Sequence, residues 1–192
     1  MQNPFNLFQD WYQQELALSK VRIPSACCFT TNGPDGFPNS RFVSLKEIKE
    51  ESFVITGPLN SQKGREIEAS PKVSIIFWWT ETEKQVRIQG IAEKIPESAA
   101  EAYFSKRNRD SQIVSTVFDQ GEEIAHFEEL TTRFESGKAA FGQTTIAKPT
   151  QWSGFYVKPV RIEFMEFMQT RLHRRTLFMR DGGAWKKTYL QP

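Results

Sequence analysis

Between residues 26 and 45 the chain carries two β-type runs folded around Asn32-Gly33-Pro34-Asp35-Gly36. Gly, Asn and Asp tolerate tight-turn backbone angles and Pro presets one of them, so this cluster between apolar runs reads as a hairpin. The same punctuation recurs along the chain. Residues 52–56 form a short run stopped by Gly57-Pro58-Leu59-Asn60-Ser61, and residues 73–79 are an apolar run ending in two tryptophans. In residues 85–95, Val86, Ile88 and Ile91 suggest a strand with Gly90 at a bulge or close approach. Residues 155–157 and 161–167 read as two further strands, and 175–179 with 184–190 as a final pair across Asp181-Gly182-Gly183. Many short strands, with helices grouped before, between and after them, predict an α+β fold with an antiparallel barrel rather than alternating βαβ units.

The helices come from a different spacing. Phe5, Phe8, Trp11, Tyr12 and Leu16 recur on one side of residues 5–18. A short helix is expected over 62–69, ending before Pro71. Three more are expected over about 97–105, 111–118 and 122–134, followed by a small, polar surface loop over 136–150. The expected organisation is one domain over 1–192, with an N-terminal helix in 1–20, a helical insertion in 97–135 and C-terminal strands in 151–192.

Charge and composition exclude several classes. The 25 basic and 23 acidic residues leave a net charge of +2, which argues against a dedicated nucleic-acid binder. Aromatics reach 13%, which favours a β-rich protein able to form subunit interfaces. Cys27 and Cys28 are adjacent, a spacing that rarely bridges, so a reducing compartment is expected. Met1-Gln2-Asn3-Pro4-Phe5 lacks a basic start and apolar stretch, and no apolar run approaches membrane-spanning length. The expectation is a soluble, cytoplasmic protein with no membrane partner. With His126 read as a surface residue and no paired ligand spacing, no metal site is expected. There is no dinucleotide-type Gly fingerprint after a strand and no Gly-x-Ser-x-Gly elbow.

Four segments concentrate chemistry. Tyr103, Arg107 and Ser111 recur every four residues, which places a phenol, a guanidinium and a hydroxyl on one face if the helix runs on. That donor set suits a phosphate monoester. If the helix breaks near Asn108 and restarts at Ser111, an anion would sit instead at a fresh helix N-terminus. An exposed amphipathic helix would carry the same residues. Asn60-Ser61-Gln62-Lys63-Gly64-Arg65 follows a Gly/Pro break and enters a helix, a plausible phosphate cradle without nucleoside-triphosphate spacing. Arg41-Phe42-Val43-Ser44-Leu45-Lys46 is a strand with cations at both ends, and Arg171-Leu172-His173-Arg174-Arg175 packs positive charge before the last hairpin. Rim charges and a solvated turn are the plainer readings of these two.

Taken in order, these segments resemble the pyridoxamine/pyridoxine 5′-phosphate oxidases: Arg-x-x-x-Leu-Lys at 41–46, Ser-x-Lys at 61–63, Gln85-Val86, Tyr-x-x-x-Arg-x-x-x-Ser at 103–111, Arg-Leu-His at 171–173, and the end Trp185…Leu190-Gln191-Pro192. The resemblance spans about Phe5 to Pro192. It implies an FMN-binding split β-barrel with flanking helices, working as a homodimer with flavin at the subunit interface. By that likeness Arg41, Lys46, Thr56, Gly57, Gln62, Lys63, Gln85, Gln120, Met165 and Arg175 are the flavin positions. Lys46, Tyr103, Arg107 and Ser111 would clamp the substrate phosphate, and Arg171 and His173 would cover the pyridine ring at the reacting centre. The chain departs from the family pattern at Arg174 (an acid there), Met165 (a Trp), Phe167-Met168 (Gly-Gly), Gly121 (a Ser) and Gln62 (an Arg), mostly around flavin contacts.

The implied reaction is hydride transfer from the 4′-carbon of a B6 phosphate to flavin, with O2 taking the electrons to give H2O2 and pyridoxal 5′-phosphate. Two other readings stay open: a related flavin oxidase of the phenazine-biosynthesis type acting on another ring, and a non-catalytic binder of flavin or pyridoxal phosphate.

Overall fold

In the computed structural model, which describes residues 3–192, the chain runs α1 (Pro4–Leu18), β1 (Ala26–Asn32), β2 (Pro38–Ser44), β3 (Ile48–Lys49), β4 (Ser52–Pro58), α2 (Gln62–Ala69), β5 (Lys72–Trp79) and β6 (Lys84–Lys94). It continues α3 (Glu97–Ser105), α4 (Arg109–Val117), α5 (Glu128–Phe141), β7 (Trp152–Glu166), β8 (Arg174–Asp181) and β9 (Ala184–Leu190). Met1 and Gln2, where the leader-peptide reading begins, lie outside the described residues. Among the described residues, no helix is long and apolar enough to cross a membrane.

All strand pairs are antiparallel, in the order β2-β1-β5-β6-β7-β4-β3, with β8 on β7 and β9 on β8. The expected strands at 155–157 and 161–167 are one continuous strand. β7 gives its first half to β4, from Trp152 to Val157, and its second half to β8, from Arg161 to Glu166, while β6 runs along its other edge. Pro159 stands in the gap between the two expected strands, and Pro cannot donate to a ladder and usually marks a strand end. Here the register shifts at Gln89/Gly90, and Gly90 faces Pro159. A Cβ on Gly90 would stand 2.5 Å from the Lys158 carbonyl oxygen, so only glycine admits that approach.

The core fills the barrel with aromatic rings. Phe8 of α1 is fully buried and meets Phe53 at 5.0 Å, Phe77 at 5.1 Å and Trp79 at 5.5 Å between centroids. This explains the helical spacing of Phe5, Phe8 and Trp11: their shared face closes the barrel, and each fully buried ring of this size contributes about 1.5–3 kcal/mol. Glu15, on the same helix and 4% exposed, accepts from the Thr82 N–H at 3.0 Å and hydroxyl at 2.9 Å, fastening α1 to the β5–β6 turn.

Two helix boundaries differ from expectation. The helix expected over 122–134 begins at Glu128 and runs to Phe141, so the helical segment passes residue 135 and takes the first part of the expected polar loop. Gly137 allows this: a Cβ there would lie 2.7 Å from Val117, so its absence lets α5 press on α4. Between Ser105 and Arg109 the helix breaks, and the Asn108 side chain caps α4 by accepting from the Ser111 N–H at 2.8 Å. The break predicted near Asn108 is therefore present, with the restart at Arg109 rather than Ser111. The two-residue strand β3 was not anticipated, and the Gly182-Gly183 hairpin turn forms with positive φ at both positions.

Candidate active site

A cleft of about 930 Å³ opens where β2, β4 and the start of α2 face α4, α5 and the segment between those two helices. Of the residues anticipated from sequence, Lys46, Thr56, Gly57, Lys63, Arg107 and Gln120 line it together. Four cations line it: Lys63 in α2, Lys46 between β2 and β3, Arg107 between α3 and α4, and Arg133 in α5, and none forms an ion pair with a carboxylate among the described residues.

Lys63 is the most constrained. Its side chain sits in the first turn of α2, only 7% exposed, and donates to the Ser61 hydroxyl at 3.0 Å and the Gln120 amide oxygen at 2.6 Å. Burial, and then the nearby Arg41 charge, lower its pKa to about 8. The Ser61 hydroxyl does not cap the helix; it donates to the Pro58 carbonyl at 2.6 Å, so no side chain covers the helix N-terminus. Gly57 completes the cradle, since a Cβ there would lie 3.1 Å from the ammonium. Beside it the Thr56 hydroxyl is buried with no hydrogen-bond partner. A buried cation without a counter-charge, an uncapped helix start and an orphaned hydroxyl fit a phosphate-bearing cofactor.

Arg107 and Lys46 make a second cationic corner. Burial, followed by the Arg107 charge, holds Lys46 below its usual range, and burial likewise lowers Arg107. Arg107 lies over the Trp152 ring at 5.2 Å and donates to the Ser111 carbonyl at 3.1 Å and the Ser115 hydroxyl at 3.2 Å, while its Nε is buried without a partner. Ser115 and Trp152 line the cleft and were missed by the sequence reading. Ser115 was findable, since it continues the four-residue spacing beyond Ser111; Trp152, at the start of β7, reaches the cleft from a distant part of the chain.

Tyr103 and Ser111 do not line the cleft in this chain. The Tyr103 hydroxyl donates to Glu47, and burial, then that bond and the Glu47 charge, raise its pKa. Ser111 contributes its backbone to the Asn108 cap and to Arg107.

The remaining anticipated residues form separate groups. Gln85, Met165 and Arg175 stand side by side across β6, β7 and β8, with the Gln85 amide 3.9 Å from the Met165 sulfur. The 8%-exposed Glu163 fixes Arg175, accepting from its Nε at 2.9 Å and pairing with its Nη2 at 2.8 Å. Arg171 adopts a positive φ of 65°, and its N–H donates to the Met168 carbonyl at 2.9 Å. His173 packs on Phe167 at 4.9 Å, and its Nδ1 accepts from the Met168 N–H at 3.0 Å. Arg41 and Gln62 both bond Glu66 behind the cradle.

The profile of the family described as Pyridoxamine 5′-phosphate oxidase matches residues 15–140, and that of the Pyridoxine 5′-phosphate oxidase C-terminal dimerisation region matches residues 152–192. The chain belongs to the pyridoxamine 5′-phosphate oxidase family. A family relative from Trichormus variabilis, a pyridoxine/pyridoxamine 5′-phosphate oxidase, is 37% identical over 191 residues, covering 99% of this chain and 89% of the relative. PhzG of Burkholderia lata, solved with tetrahydrophenazine-1-carboxylic acid, superposes with a TM-score of 0.92 at 28% identity, over 99% of this chain and 93% of that one. An FMN-binding protein of Nostoc punctiforme related to the family superposes with a TM-score of 0.81 over 100% and 98% of the two chains; at 15% identity it speaks to the fold alone. The expected antiparallel split barrel with flanking helices is thus the family's fold.

Proposed function

We propose that this chain is an FMN-dependent oxidase converting pyridoxamine or pyridoxine 5′-phosphate to pyridoxal 5′-phosphate in the cytoplasm, with O2 as acceptor and H2O2 as product. The observation that carries this reading is that three of the cleft's four cations, Lys46, Lys63 and Arg107, none paired to a carboxylate, make two corners, while the fourth, Arg133, is turned to the Val117 carbonyl and the Phe118 ring. Two corners suit two phosphates, one on the cofactor and one on the substrate.

Lys63, the start of α2, Thr56, Gly57 and Gln120 would hold the FMN phosphate end, with Arg41 beside them. FMN, when bound, supplies the two-electron acceptor that protein side chains lack. Lys46 and Arg107 would fix the substrate phosphate, with Tyr103 and Ser111 available on the same helical segment. Orienting both rings is the protein's main contribution to the rate. A backbone N–H can only donate, so the His173 Nδ1 that accepts from Met168 is the bare nitrogen and the ring proton sits on Nε2. Nε2–H is then a donor for the substrate ring.

Gln85, Met165, Arg175, Arg171 and His173 lie outside the cleft of their own chain, so a homodimer would supply them from the second protomer. Support for this comes from the C-terminal match to a dimerisation region and from Phe42 and Phe127 on the cleft lining, 81% and 82% exposed.

A second reading, a ring oxidase of the phenazine-biosynthesis type, draws on the PhzG superposition and on the Tyr103 hydroxyl being bonded to Glu47 rather than lining the cleft. One experiment separates them. The purified protein should show flavin absorbance, which bleaches on anaerobic addition of pyridoxamine 5′-phosphate. Turnover of a non-phosphorylated tricycle with no response to B6 phosphates would favour the second reading. Colourless protein that ignores added FMN would contradict both.

A further inference from the structure

Behind the phosphate cradle lies a carboxylate that electrostatics alone would forbid. Glu66, on α2 one turn after Lys63, is 3% exposed. A negative charge beside an anion site should weaken it, yet this one is fully engaged. One oxygen accepts from the Thr31 hydroxyl and from Arg41 Nη2 at 3.1 Å; the other accepts from Asn39 at 2.5 Å and Gln62 at 3.0 Å. Four donors fill the four acceptor positions of a carboxylate, so Glu66 has none left for a ligand.

Arg41 is the group held. Its Nη1 donates to the Thr31 hydroxyl and to the Asn39 carbonyl at 2.9 Å, and its Nη2 to Glu66. Three of five N–H donors are thus spent on one frame of β1, β2 and α2, and two remain. We propose that Glu66 is a positioning residue: it locks the Arg41 guanidinium beside Lys63 so that its two remaining N–H groups are presented to the FMN phosphate. This rests on the FMN reading above. Preorganisation outweighs charge here, because a guanidinium already fixed loses less entropy on binding.

The two effects have opposite signs, which makes them separable. By charge alone, Glu66→Gln removes a negative group and tightens FMN; by positioning, it weakens FMN although the site becomes more positive. FMN dissociation constants are measured by flavin fluorescence quenching for the full chain, Arg41→Ala, Glu66→Gln and the double variant, with Tm recorded for each. The expected result is about a tenfold weaker FMN affinity for Glu66→Gln, the scale of one charge-assisted bond, and little further loss in the Arg41→Ala background. Thr31→Val, which keeps the charge but removes the shared hydroxyl, should weaken FMN in the same direction and carries the test if Glu66→Gln does not fold. Unchanged or tighter FMN binding by Glu66→Gln, or equal loss in both backgrounds, overturns the proposal while leaving the FMN reading intact. Unchanged FMN binding by Arg41→Ala removes Arg41 from the flavin site and overturns the proposal with it.

Discussion

The Lys63 ammonium donates to the Gln120 amide oxygen at 2.6 Å, tying the first turn of α2 to the irregular segment between α4 and α5, 57 residues further along the chain. Two more contacts reinforce the tie: Asn60 donates to Asp119 at 2.9 Å, and Arg65 approaches Glu122 at 3.7 Å. One wall of the cleft is therefore latched to the other by the residue assigned to the cofactor phosphate.

That placement gives the cradle a pH dependence. Burial, and then the Arg41 charge, lower the Lys63 pKa from 10.5 to about 8, and the cation is the form that attracts a phosphate. FMN affinity should fall as pH rises through about 8, by up to tenfold per pH unit beyond it. Stability has the opposite sign. Between about 8 and 10.5 the unfolded chain binds the proton more strongly, so this group's contribution to ligand-free stability rises with pH across that window. FMN titrations and thermal unfolding from pH 7 to 9.5 check both, and an affinity flat over that range would contradict the assignment.

Arg107→Ala should raise KM for pyridoxamine 5′-phosphate by about ten- to a hundred-fold, the scale of one or two lost charge-assisted bonds, while FMN content stays near normal. Arg107 sits on Trp152 and Ser115, whereas Lys63 bonds Ser61 and Gln120, so the two cations have no hydrogen-bond partner in common. Equal losses of substrate and FMN binding would show that the two corners are one site.

Glu47 holds the Tyr103 hydroxyl, so a substrate phosphate must compete with a carboxylate for that donor. Glu47→Gln removes the charge and should lower KM for a phosphorylated substrate several-fold, with FMN affinity unaltered. Steady-state kinetics at fixed FMN saturation measure it; a raised KM would mean that Glu47 orients Tyr103 instead of occupying it.

Gly90→Ala should destabilise the fold by about 1–3 kcal/mol, because its Cβ would meet the Lys158 carbonyl oxygen at 2.5 Å and backbone cannot give way cheaply. Denaturant unfolding reads this directly. A variant as stable as the parent would mean that the bulge is looser than its register indicates.

Local patterns were legible wherever a short-range signal had one meaning. The turn clusters at 32–36 and 181–183, the apolar face of α1 and the Ser61–Lys63 helix start all stand where residue spacing placed them. Pro159 and Gly137 had two meanings each. A proline can end a strand or sit opposite a bulge, and a glycine can weaken a helix or admit a neighbour, and in both cases the partner across the gap decides.

The sequence alone therefore determined the α+β class, the order of the elements apart from β3 and the unbroken β7, and the chemical kinds of the candidate site residues, because periodicity, turn chemistry and side-chain charge are properties of neighbours along the chain. Tertiary structure decided which cations share a cleft, that Lys63 is buried enough to titrate near 8, that Arg41 is locked by Glu66, and that Tyr103 and Ser111 stand off the cleft lining. Desolvation and hydrogen-bond saturation depend on what packs against a group from distant parts of the chain, and only the closed barrel brings those parts together.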